Sequence, residues 1–301
     1  MELFLNRLFD GFTLGSIYAV VAISLVLIFK ATTLINFATG ELAALGGYLT
    51  FVFWDHWLPI WIAIFCSMAL LAALGGLVER VLIRPFDPSD HLPVVLITLG
   101  LAYVILASDQ AIFGNQPRGA PSPFPVGPED YISIAGGRLF YFTIGIVATL
   151  VVMVGVLFLI LNRTKVGLAF RAVSSNVEAA RLVGIRTGRT LQFGWAISAA
   201  FGALGASLVM SRTNLVPTYM GQLLVFSFAA AALGGLDSLG GALIGGLIVG
   251  QVQSVGIGYL QGVPGFAWVQ PLSLTFAFLI ILIVLLVKPA GLFGTRRVAR
   301  V

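Results

Sequence analysis

Along the chain, apolar residues gather in nine blocks, at 12–29, 40–54, 60–83, 93–113, 139–161, 191–210, 222–236, 240–260 and 271–287. Long runs with charges confined to their ends are what a bilayer core of about 30 Å requires of a helix. A transmembrane barrel would instead show short alternating segments. The pattern predicts an all-α polytopic membrane protein of about eight to ten transmembrane helices. The range reflects the shorter blocks, which suit re-entrant segments as well as crossings.

One polar stretch stands apart, residues 163–190. It carries Arg163, Lys165, Arg171, Arg181, Arg186 and Arg189, with Glu178 as its one acid. Placed at mid-bilayer, those cations would cost roughly 2.5–3.5 kcal/mol each, about 15–20 kcal/mol together. The stretch must therefore lie in water. Within it Asn176 is a good N-cap, the residues from Val177 to Val183 are helix-compatible, and Glu178 falls in the first turn, where an acid complements the helix dipole. Gly184 supplies a left-handed C′ position. Such a helix is only ~10 Å long and marginal by itself, so it needs a partner surface.

Composition agrees. Of 301 residues, 59% are hydrophobic and 10% charged, against about 25% charged in a soluble domain, and the mean hydropathy is +1.03. The net charge of +5 does not signal nucleic acid, because the cations sit at the ends of apolar blocks. With 163–190 in the cytoplasm and the blocks alternating, thirteen Lys and Arg face inward. Only Arg7, Arg118, Arg138 and Arg212 face outward, which satisfies the positive-inside rule. The C-terminus is then cytoplasmic and, with an odd count, the N-terminus external. The start of the chain lacks the pattern of a cleaved leader, so the first block is expected to remain as a helix. The single cysteine, Cys66, excludes an intrachain disulfide.

Two blocks repeat small residues every fourth position: Gly194, Ser198, Gly202 and Ala206, then Ala242, Gly246, Gly250, Ser254 and Gly258. Such stripes let helix backbones approach closely, either within one subunit or at a seam with a second. Two breaks carry polar groups. The first, Asn36-Phe37-Ala38-Thr39-Gly40-Glu41, opens an apolar block; the second, Gly234-Gly235-Leu236-Asp237-Ser238, interrupts another. One in each half of the chain suits discontinuous helices of a transporter built from two pseudo-related repeats. On that reading Asn36, Thr39, Glu41, Gly234, Gly235 and Asp237 line a translocation pathway; the alternative is a pair of ordinary aqueous turns. Asp109 and Gln110 are expected at an interface near the end of their block. Gln251 and Gln253 are expected to bond between helices, and His56 and His91 to be solvated.

No enzymatic pattern is present. The three lysines lie in Phe-Lys-Ala, Thr-Lys-Val and Val-Lys-Pro, so there is no phosphate-binding P-loop, and GxSxG, HExxH and paired cysteines are absent. No metal-ligand spacing surrounds either histidine. The chain is expected to be a non-enzyme that holds no cofactor of its own.

The motifs taken in order resemble the permease subunits of ATP-binding-cassette importers for branched-chain, or hydrophobic, amino acids. They begin with Gly11-Phe12-Thr13-Leu14-Gly15-Ser16-Ile17-Tyr18-Ala19 and Ile35-Asn36-Phe37-Ala38-Thr39-Gly40-Glu41. Glu79-Arg80 with Arg84-Pro85 follow, then 167–171 with Glu178-Ala179-Ala180 and Leu182-Val183-Gly184-Ile185. Leu233-Gly234-Gly235, Ser238, Gly240, Gly245-Gly246 and Pro289-Ala290-Gly291-Leu292-Phe293-Gly294 complete the set. The family usually has histidine where Thr39 stands.

The resemblance implies one transmembrane permease domain over 1–301 in the bacterial inner membrane, with a cytoplasmic coupling loop at 163–190. Glu178, Ala179, Ala180, Arg181 and Gly184 would dock on a separate ATPase. Two such ATPases carry the ATP and magnesium, a second homologous permease completes the bundle, and a periplasmic binding protein delivers substrate. Relatives that take up urea or short amides are the nearest alternative. An ion-coupled transporter acting alone, with Glu41 or Asp237 as its ion site, is the alternative from another class, and a structural scaffold is a third.

Overall fold

The computed structural model describes residues 1–86, 91–258 and 272–294. Each apolar block is mainly helical where it is described, although Leu139 and Phe140 lie in a strand and Gly235 and Leu236 in a turn; Pro271 and residues 259–260 lie outside that range. The order is α1 (Glu2–Thr32), α2 (Thr39–Asp55), α3 (Ile60–Val78) with a π-helical turn Glu79–Ile83, and α4 (His91–Phe113). A hairpin of β1 (Tyr131–Ile134) and β2 (Gly137–Phe140) precedes α5 (Tyr141–Arg163), α6 (Lys165–Ser175), α7 (Val177–Leu182) and α8 (Thr187–Val209). The chain continues through α9 (Tyr219–Gly234), α10 (Leu239–Gln251) with a π-helical turn Val252–Ile257, and α11 (Ser273–Val287). Six of these, counting the π-helical extensions, are long and apolar enough to cross a membrane, so the chain is a multi-pass membrane protein. At 17, 16 and 15 residues, α2, α9 and α11 reach about 22–26 Å, short of a ~30 Å hydrocarbon core.

Two boundaries correct the sequence-based expectation. Helix α1 begins at Glu2 rather than at residue 12; its first turns carry Glu2, Asn6, Arg7 and Asp10, which an apolar window passes over. The 163–190 stretch holds two helices, not one. Thr164 caps α6 by accepting from the Gly167 amide at 3.0 Å. Gly167, Phe170 and Val173 form the buried face of α6, a one-sided spacing that marks an amphipathic helix.

The chain divides into two compact units that do not follow its halves: 1–26, 124–150 and 222–301 form one, 27–123 and 151–221 the other. In the first unit, α1 and α10 meet through small residues. A Cβ added at Gly246 would lie 2.6 Å from Ala19 Cα, and one at Gly250 would overlap the backbone of Gly15. The α1 side of this seam is itself a stripe, Gly11, Gly15 and Ala19. Polar groups lock the same seam: Ser254 Oγ donates to the Arg7 carbonyl at 2.6 Å and Gln251 Nε2 to that of Leu8 at 3.1 Å. Tyr18 donates to Gln253 Oε1 and stacks on Phe226 at 5.2 Å, and Thr13 shares a hydrogen bond with Thr143 at 2.7 Å. Both glutamines thus bond between helices, as expected.

The second unit is built on α2, α3 and α8. Gly46 abuts Ala203, Gly75 abuts Ala199 and the Trp195 carbonyl, and Gly202 faces Ala43. Ser67 Oγ donates to the Gly46 carbonyl at 2.6 Å, and Thr50 and Ser207 share a bond at 2.8 Å. Where α3 widens into its π-turn, Glu79 is 2% exposed and is held by Arg84 through Nη2–Oε2 at 2.5 Å and Nε–Oε1 at 3.2 Å. A buried acid is tolerated when gripped in this two-pronged way. Arg84 also donates to the Gly188 carbonyl at 2.9 Å, and Gln192 to that of Gly76 at 3.1 Å. The end of α3 is therefore fastened to the start of α8.

Gly250→Leu should lower stability by about 1–3 kcal/mol or more, read as a drop in the thermal midpoint of the purified protein. Gly155→Ala, where nothing lies within 4 Å of the new methyl, should leave it unchanged or slightly raised, since alanine is the better helix former.

Candidate functional site

The charged stretch ends in a short, well-terminated helix. Asn176 Oδ1 accepts from the Ala179 amide at 2.9 Å, which fixes the start of α7. At the other end Gly184 has φ +82. Its amide donates to the Arg181 carbonyl at 3.0 Å, and the Ile185 amide donates to that of Ala180 at 3.0 Å. This pair of bonds is the Schellman arrangement, and the positive φ is why glycine stands there.

The six residues of α7 have two faces. Val177 and Ala180 turn inward, half-buried and 3% exposed respectively; Arg181 is exposed, and its Nε donates to Thr187 Oγ1 at 3.2 Å. Glu178 and Ala179 are exposed, and at the C-terminal end Leu182 is 89% and Val183 75% exposed. The candidate set Glu178, Ala179, Ala180, Arg181 and Gly184 is thus contiguous, yet Ala180 is not on the available surface. Leu182 and Val183 are the most exposed apolar side chains of the segment; their apolarity inside a cation-rich stretch was the signal for them.

The break at Asn36 is a compact turn. Asn36 Oδ1 accepts from the Ala38 amide at 3.0 Å, and Thr39 Oγ1 donates to the Asn36 carbonyl at 2.8 Å. Both side chains are buried, and the Asn36 amide nitrogen has no partner. Asn36, Thr39 and Glu41 all belong to the second unit. Gly234, Gly235 and Asp237 belong to the first, where the break joins α9 to α10. Gly235 takes φ +109, and Ser238 Oγ accepts from the Gly241 amide at 3.0 Å to start α10. The residues after α11 close on this joint: the Leu292 and Phe293 amides donate to the Leu233 and Gly234 carbonyls at 2.8 and 2.9 Å. The Pro289 to Gly294 motif therefore seats the end of α9.

Asp109 is the residue that sequence reasoning misplaced. It is 0% exposed, buried inside the second unit rather than wet, and neither carboxylate oxygen has a hydrogen-bond partner; its neighbour Gln110 is the exposed one. Its position one turn from the helix end suggested water, but the side chain is buried, with Tyr48 and Tyr219 within its electrostatic reach. Tyr48 stacks on Phe113 at 4.3 Å and meets Tyr219 edge-on at 6.5 Å. Asp109 lies within electrostatic reach of Glu41, and Tyr219 within reach of both acids. One Glu41 oxygen and the Tyr219 hydroxyl are also buried without a partner. Among the described residues no group of three or more His, Cys, Asp or Glu is placed to hold a metal ion.

With this geometry in hand, the sequence relationships can be placed. A family described as "Branched-chain amino acid transport system / permease component" matches residues 7–285. The chain belongs to that family. It is 29% identical to the high-affinity branched-chain amino acid transport system permease protein LivH of Salmonella typhimurium, over 99% of this chain and 98% of that protein. BraD of Pseudomonas aeruginosa, named for the same transport system, is 29% identical with the same coverage. The fructose import permease protein FruF of Bifidobacterium longum is 27% identical over 78% of this chain and 66% of its own length.

An unpaired buried carboxylate costs several kcal/mol. Asp109→Asn should therefore raise the thermal midpoint by the equivalent of about 1 kcal/mol or more, against the usual destabilising trend of core substitutions. A fall would show that the carboxylate is compensated.

Proposed function

We propose that this chain is a membrane-spanning permease subunit of an ATP-binding-cassette importer for branched-chain or other hydrophobic amino acids, in the inner membrane of a bacterium. The whole of 1–301 acts as one permease domain, with 163–190 and the C-terminus in the cytoplasm. Two separate ATPases hold the ATP and magnesium, a second similar permease completes the bundle, and a periplasmic binding protein presents the substrate. Family membership and the names of the full-length relatives support the transport role and its substrate class.

The observation that carries the motor-driven reading is α7. A six-residue helix, capped at both ends, presents Glu178, Ala179, Leu182 and Val183 to water. Exposed apolar residues on a helix too short to be stable alone call for a partner surface. A nucleotide-driven ATPase groove supplies one, and α6 and α8 on either side would carry its motion into the second unit. Glu178 is well placed to meet a basic groove residue.

A cation-coupled transporter working alone is the competing reading, favoured by the half-buried Glu41 and the buried Asp109. The two separate cleanly: the importer needs its ATPases for uptake, and the solitary transporter does not.

Glu178→Lys and Gly184→Pro should each insert normally yet reduce substrate-stimulated ATP turnover of the reconstituted complex to its basal level. Proline can adopt neither φ +82 nor the amide bond to Arg181. Normal turnover in both, or solute uptake by the purified chain alone, would refute the motor-driven reading.

A further inference from the structure

Beneath α7 the second unit is hollow. A cavity of about 130 Å³ opens between the inward face of α7 and the helices it rests on. Its wall includes Val177 and Arg181 from α7, Leu191 and Trp195 from α8, Leu34 after α1, and Ile83 at the end of the π-turn. The volume is close to the ~150 Å³ known to admit one small apolar molecule, so there is room for a branched aliphatic group and not for a lipid tail.

The polar part of the wall is one-sided. Arg181, exposed at the edge of the hollow, uses only Nε, toward Thr187, and its terminal guanidinium nitrogens have no acceptor among the described residues. Trp195 is 2% exposed, and its indole N–H has no partner. The acid in the wall, Glu79, is already held by Arg84. A buried indole N–H without a partner and a guanidinium at the edge of an apolar hollow suit a short aliphatic group that ends in a carboxylate.

We propose that this cavity is a binding site for a small branched aliphatic carboxylate, with the acid group on Arg181 and Trp195 and the alkyl group against Leu34, Ile83 and Leu191. A hydrophobic amino acid belongs to this chemical class. Because Val177 and Arg181 lie on one face of α7, an occupant props that helix from below and stiffens it against the rest of the unit. Only this last consequence rests on the coupling role of α7; the binding itself does not.

The test uses the purified full-length chain in phosphatidylcholine nanodiscs and reads Trp195 emission as the difference between the parent protein and Trp195→Phe. Leucine and 4-methylpentanoate should each give a saturable change. Isopentylamine, which has the alkyl group without the acid, should give none. Arg181→Gln should weaken the response at least tenfold, and so should the cavity-filling variants Leu191→Phe and Val94→Phe (Val94 of α4 also lines the wall), two independent fillings in case one fails to fold. No saturable change in the parent protein would overturn the site. So would an equal response to isopentylamine, or a response that survives both fillings. If phosphatidylglycerol nanodiscs produce the change with no solute added, the occupant is a lipid headgroup and the proposal fails. Loss of binding here with motor coupling intact, or the reverse, separates this site from the transport role.

Discussion

Helices in a hydrocarbon solvent are not pressed together by the exclusion of water, because lipid tails are as apolar as leucine. What holds them is contact, and contact is greatest where side chains are smallest. In this protein that constraint governs both units. In the first, Gly246 and Gly250 of α10 lie against Ala19 and Gly15 of α1. In the second, Gly46 of α2 and Gly75 of α3 converge on Ala203 and Ala199 of α8. Each seam is then pinned by hydrogen bonds from small hydroxyls and glutamines to backbone carbonyls, such as Ser254 to Arg7 and Ser67 to Gly46. The bonds have a second use, since a serine or glutamine that already donates to a carbonyl presents no unsatisfied donor to lipid.

Bundles built this way are rigid within a seam, and their irregular parts gain significance by contrast. Two stand out. The π-turn after α3 lets Glu79 point into the unit while Arg84 reaches across to α8. The hollow under α7 leaves that helix seated through Ala180 and one side-chain bond from Arg181, with open space beneath Val177. A helix seated on so small a contact can shift as a body with little repacking of a core, which is a useful property in an element meant to receive a push.

Much of this was legible in the residues, and the misses have physical causes. Asn176 and Gly184 announced α7 because caps are local: one side chain and one φ angle decide them. The four-residue stripe on α10 was visible for the same reason, although its match on α1 was overlooked among the bulkier residues between Gly11, Gly15 and Ala19. Helix α6 was missed because its buried face is only Gly167, Phe170 and Val173, diluted by the cations that dominate the stretch. The burial of Asp109 could not be read from sequence, since the groups within its electrostatic reach, Glu41 and Tyr48 of α2 and Tyr219 of α9, are distant along the chain. Nor could the seating of the Gly234 break by Leu292 and Phe293, which lie almost sixty residues away.

The tip formed by Leu182 and Val183 bears on how such a protein is made as well as on how it works. Two wet aliphatic side chains on a stiff, capped prong are adhesive, and they stay adhesive until something covers them. A copy synthesised in excess of whatever covers that prong would therefore cling to other proteins or be taken by the proteases that clear unassembled chains. Balanced synthesis of the subunits, long before any solute is moved, is a requirement written into those two side chains.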